Sequence, residues 1–94
     1  MHTVIAFDIS SDSARYRVFR ILLEYATWVQ RSVFESPSLD QAAYLRMRSR
    51  VERLVDPTTD SLRYYRMCAA CAGRAEHHGV GPGLLRVPPP FRIV

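Results

Sequence analysis

Lysine is absent from this chain. All 13 basic side chains among its 94 residues are arginines, and against 9 acids they leave a net charge of +4. An arginine-favouring codon bias accounts for the missing lysine but not for the positive sign. That sign favours a polyanionic partner, with nucleic acid first. No apolar run is long enough to span a bilayer, so no membrane association is expected. The opening MHTVIAFD has no basic n-region and no cleavable apolar core, so no secretory signal is expected and a cytoplasmic location follows. Cysteine is scarce. Cys68 and Cys71 are the only two, and in a reducing compartment they are expected as thiols. The P-loop and dinucleotide-binding glycine signatures are missing, as is the RNP1 octamer of the RNA-recognition sheet. His2, His77 and His78 have no Ser or Asp constellation around them, which removes a catalytic triad.

What is present suffices for one domain. Hydrophobic residues make up 48% of the chain, enough for a packed core and too many for a disordered segment. A chain this short buries a modest fraction of its surface, so oligomerisation is a natural way to bury more. Residues 3–8 read as a strand with apolar residues on both faces, which suits a central position. Ser10, Ser11 and Asp12 are cap candidates for a helix whose apolar stripe is Ala14, Val18, Ile21, Leu22 and Tyr25. The β-rich run 28–35 is either one strand or two short strands turning near residues 30–32. SLDQ from Ser38 reads as a capping box with Gln41 at its third helical position. It opens a helix over residues 39–55, with Ala43, Tyr44, Met47, Val51, Leu54 and Val55 on one face. Asp56-Pro57 ends it, and residues 61–67 form a further strand. Counting the run 28–35 as two strands, the order is βαββαβ, an α+β, ferredoxin-like arrangement. Residues 1–78 are assigned to this domain. Residues 79–94 are assigned to a glycine-rich loop, a Pro88–Pro90 spacer and a strand-like FRIV tail that could pair with a neighbouring sheet edge.

The residue that raises a chemical question is Asp8, a carboxylate at the end of an apolar strand. Hard divalent cations take oxygen ligands, and a bound metal can polarise a phosphodiester and activate water. Within one chain a helix-capping role is slightly favoured, because one carboxylate makes a poor metal site. A two-fold axis nearby would bring a second Asp8 and remove that objection. Arg15 and Arg17, in the first turns of the helix, and Arg31 in the β-rich run are candidate phosphate binders, since arginine's planar fork matches phosphate. Arg46, Arg50 and Arg53 read equally well as an electrostatic track or as a solvated helix face with ion pairs such as Arg48–Glu52. For CAAC at 68–71, buried structural thiols are favoured over a redox pair or a zinc site.

Several stretches together carry a family resemblance: AFDIS at 6–10, RYRV at 15–18, VQRSVFE at 29–35, DPTTDSLRYY at 56–65, MCAACAGRAE at 67–76 and the final FRIV. With these the chain resembles the smaller of the two universal CRISPR spacer-acquisition proteins, the CRISPR-associated endoribonuclease family. VPPPFRIV and HHGVGPG depart from the family's usual tail. The resemblance implies a ferredoxin-like homodimer with C-terminal strands crossing to the partner's sheet. It implies Mg²⁺-dependent phosphodiester hydrolysis of RNA or DNA, with Asp8 as metal ligand and catalytic residue, one from each protomer. It further implies partnership with the larger CRISPR integrase protein around duplex DNA, with single-stranded RNA as another substrate. Arg15, Arg17, Arg31 and Phe34 fall at positions similar to the family's nucleic-acid-binding ones. Two other readings stand beside this: a non-catalytic scaffold that binds duplex DNA, and a toxin-type RNA-cleaving protein of related fold.

Overall fold

The computed structural model describes residues 1–68. Its element order is β1 (His2–Asp8), α1 (Asp12–Leu22), β2 (Thr27–Gln30), β3 (Val33–Ser36), α2 (Gln41–Glu52) and β4 (Ser61–Met67). The four strands form one sheet in the order β2-β3-β1-β4, with every neighbouring pair antiparallel. This is the ferredoxin-like βαββαβ arrangement, and β1 is central as its two apolar faces demand. The proposed crossing strand at 91–94, the loop at 79–90 and Cys71 lie outside the described residues.

Alternation along β1 sorts the two faces. Thr3, Ile5 and Phe7 are buried and face both helices, which supply Val18, Leu22, Tyr44, Met47 and Val51 to the same core. His2, Val4, Ala6 and Asp8 take the other face, and among the described residues no element lies across it. There the buried His2 sits 3.8 Å from Glu35, too long for a hydrogen bond. Burial lowers the His2 pKa from its usual value, against the opposing pull of the Glu35 charge.

The run 28–35 is two strands. Arg31 takes φ 40 at the turn between them, a left-handed conformation uncommon for a residue with a side chain. Trp28 Nε1 donates to the Arg31 carbonyl at 2.7 Å, and the Phe7 amide donates to the Ser32 carbonyl at 3.0 Å. These bonds hold the turn against the sheet. A register irregularity between Trp28 and Gln30 lets the short β2 reach it.

Both helices begin on side-chain caps. Ser11 Oγ accepts from the Ala14 amide in α1. For α2 the cap is Asp40, not the expected Ser38: Asp40 Oδ1 accepts from the Ala43 amide at 2.8 Å. Leu39 is buried and its carbonyl is bonded to Arg66, which holds it outside the helix, and a carboxylate suits the positive end of the helix dipole. At the other end regular helix stops at Glu52, while Leu54 and Val55 amides still reach Val51 and Glu52 carbonyls. That i→i−3 pattern is a tightened last turn, so the apolar stripe continues to Val55 as its spacing requires.

Arginine does much of the fastening. Arg66 on β4 donates to the Leu39 carbonyl at 2.9 Å, to Gln41 Oε1 at 2.7 Å and to Thr3 Oγ1 at 3.3 Å. Its guanidinium carbon lies 4.0 Å from the Tyr44 ring centroid. Replacing Arg66 with alanine is expected to cost about 2 kcal/mol of stability in denaturant unfolding. Lysine should recover little, because an ammonium lacks the planar fork that serves three acceptors at once.

Candidate metal and nucleic-acid site

One end of the sheet gathers the chemically interesting residues. The C-terminus of β1, the N-terminus of α1, the β2–β3 turn and the segment joining α2 to β4 all meet there. Four aspartates belong to this end, and three are committed. Asp12 is paired with Arg15. Asp60 accepts from the Ser10 amide at 2.9 Å and the Asp56 amide at 3.0 Å. Asp56 accepts from both the amide and the hydroxyl of Thr58. These bonds hold the Asp56 and Asp60 carboxyls below the usual carboxylate range. The DPTTD segment is thus a polar clasp bracing the loop after Asp8, a role that its turn chemistry signals but that the sequence reading did not draw.

Asp8 is the exception. It is exposed, stands opposite Ser61 on β4, and its side chain makes no hydrogen bond or ion pair among the described residues. It does not cap α1, since Ser11 does that. Its donor chemistry fits a hard cation such as Mg²⁺. Among the described residues no group of three or more His, Cys, Asp or Glu could hold a metal, so Asp8 belongs to no such cluster there.

The candidate arginines divide. Arg15 Nη1 donates to the Ile9 carbonyl at 2.9 Å, tying the helix to the residue after Asp8. Arg15 and Arg31 line one groove between α1 and the β2–β3 turn, together with Phe7, Tyr16 and Phe19. Arg17 is exposed on α1 but outside that groove. Phe34 is corrected. It is 0% exposed, its ring stacked on Phe7 and edge-on to Phe19. A ring with no accessible face cannot stack on a base, so its role is packing.

Of the α2 stripe, Arg50 is structural. Arg50 grips Glu24 with two bonds, at 2.7 and 3.2 Å, and donates to the Tyr25 hydroxyl. This raises the Arg50 pKa and lowers that of Glu24. Arg48 pairs with Glu52 at 2.9 Å, as the i,i+4 spacing predicts. Glu52 also accepts from Tyr64, and burial together with that bond pushes the phenol up. Arg46 and Arg53 stay exposed with no such partner among the described residues.

A family model described as CRISPR associated protein Cas2 matches residues 1–75. The chain belongs to the Cas2 family. A relative named CRISPR-associated endoribonuclease Cas2 1, from Chloroflexus aurantiacus, is 40% identical over 83 residues, covering 87% of this chain and 88% of its own length. CRISPR-associated endonuclease Cas2 2 of Thermus thermophilus is 40% identical over 78 residues, covering 83% and 81%. Among solved structures, Streptococcus pyogenes Cas2 superposes with a TM-score of 0.73 at 26% identity, covering 84% of this chain and 100% of that one. The Cas2 match reaches across β1, the Asp8 end and β4, so it embraces the whole described domain.

Proposed function

We propose that this Cas2-family chain is a divalent-metal-dependent endonuclease that works as a homodimer, with Asp8 as the metal ligand of each protomer. The observation that carries this is the state of Asp8: of the four carboxylates at its end of the sheet, it is the one left exposed and unengaged among the described residues. Curated relatives named endoribonuclease and endonuclease support phosphodiester hydrolysis of RNA or DNA as the reaction class. A second copy facing the β1 side not packed by helices would bring a second Asp8 to the first. Mg²⁺ held between them would supply phosphoryl polarisation and an activated water.

The chain's own residues have the binding task. Arg17 and Arg31, unengaged among the described residues, present guanidinium forks to phosphate oxygens, and Arg15 fixes α1 against the strand end that carries Asp8. In the cell this dimer would hold DNA alongside the larger CRISPR integrase protein. The test is cleavage of end-labelled single-stranded RNA and duplex DNA in Mg²⁺ with and without chelator. Cleavage that stops in chelator and returns with excess Mg²⁺ is expected; cleavage undiminished in chelator would rule out the metal-dependent reading.

A further inference from the structure

The groove between α1 and the β2–β3 turn is a site apart from Asp8. Phe7 forms its floor, and because β1 side chains alternate, Phe7 and Asp8 point to opposite faces of the sheet. One wall is Asp12, Arg15, Tyr16 and Phe19, the i, i+3, i+4, i+7 face of α1. The other is the Arg31–Ser32 turn. The space is about 540 Å³ and open to solvent, within the ~300–1,000 Å³ that holds one small ligand.

Two features specify what would fill it. Tyr16 is 60% exposed, yet its ring is not loose. Arg20 Nη1 donates to its hydroxyl at 2.9 Å, and the Arg20 guanidinium carbon lies 5.8 Å from the ring centroid. Arg20 thus lies over one face of the ring and is not among the groove's lining residues, which leaves the other face for a flat ligand. Across from it, Arg31 is exposed and has no ion pair among the described residues. Its backbone has positive φ, with its carbonyl bonded by the Trp28 indole and the next carbonyl, of Ser32, by the Phe7 amide, a strained conformation of the kind that clusters at ligand sites. Among the described residues the only acid lining the groove, Asp12, is already paired with Arg15.

We propose that this groove binds a single unpaired nucleotide, with its base stacked on Tyr16 and its phosphate on Arg31. Aromatic faces beside arginines are the general means of holding single strands. A duplex keeps its base faces inside the stack and would meet only the arginines. The inference rests on the reading of this chain as one that handles nucleic acid, and it adds a discrimination between unpaired and paired strands that Asp8 does not supply.

The test is fluorescence anisotropy with labelled single-stranded oligoadenylate, as RNA and as DNA, and with a hairpin duplex of matched length. All variants carry Asp8→Ala, and chelator is present so that no cleavage intervenes. Tyr16→Ala is expected to weaken binding of at least one single strand by roughly tenfold while changing duplex binding by less than about twofold. Tyr16→Phe, which keeps the ring, should retain most of the single-strand affinity. Arg31→Ala should weaken both substrates and flatten their salt dependence. Single-strand binding undiminished in Tyr16→Ala, or reduced equally with duplex binding, would overturn the groove assignment while leaving the nuclease reading standing. A parent that binds no nucleic acid at all would overturn both.

Discussion

Replacing Asp8 with alanine should lower Mg²⁺-dependent cleavage by roughly a hundredfold or more, the scale of effect of removing a metal that stabilises a charged transition state. The fold should barely register the change. Asp8 is exposed, caps no helix and accepts no hydrogen bond among the described residues, so its loss belongs with surface substitutions within about 0.5 kcal/mol. Dimer formation and affinity for uncleaved nucleic acid should also persist, because the arginines proposed to bind it lie on α1 and the β2–β3 turn. This separation tells the nuclease from the scaffold. If pure Asp8→Ala protein cuts as fast as the parent, the carboxylate has no catalytic part. If the parent itself does not cut but arginine-to-glutamate changes abolish DNA binding, the chain is a scaffold that uses charge alone.

The second large effect lies inside the core. Phe34→Ala should destabilise the domain by about 3–5 kcal/mol, the range for emptying a buried phenylalanine site. The ring is fully enclosed, sits opposite Ile5 across the β1–β3 ladder and contacts Phe7 and Phe19. A small domain has only about 5–15 kcal/mol in total, so the variant should unfold at clearly lower denaturant concentration. Phe34→Leu, which keeps most of the apolar volume, should recover the greater part. If Phe34 bound nucleic acid, the pattern would invert: Phe34→Ala would remain stable and lose affinity. Unfolding midpoints measured beside binding constants separate the two.

Phe34 also shows where the sequence was legible and where it was not. Apolar alternation and turn residues were enough for β1, α1 and β4, because each is long enough for its period to be read. The run 28–35 was ambiguous because two four-residue strands joined at a non-glycine residue with positive φ leave no turn signature, and the irregularity near Trp28 blurs the alternation. The inward direction of Phe34 therefore emerged only from its pairing with Ile5. At the start of α2, Ser38 and Gln41 satisfied a local motif, but Arg66 claims both the Leu39 carbonyl and the Gln41 amide oxygen from a strand far along the chain. Arg50 likewise finds Glu24 across the helix pair rather than along its own helix. Local spacing foresaw the Arg48–Glu52 pair for the converse reason, since both partners sit on one helix. The isolation of Asp8 was visible only in part: its place at a strand end could be read, but that Asp12, Asp56 and Asp60 are each otherwise engaged could not.

The central claim is that Asp8 is half of a metal site completed by a second copy. Titrating the purified protein with Mn²⁺, followed by electron paramagnetic resonance, counts the bound ions per chain. The account predicts one ion for every two chains, lost on Asp8→Ala while sedimentation still shows a dimer. One ion per chain, or uptake that survives Asp8→Ala unchanged, would contradict it.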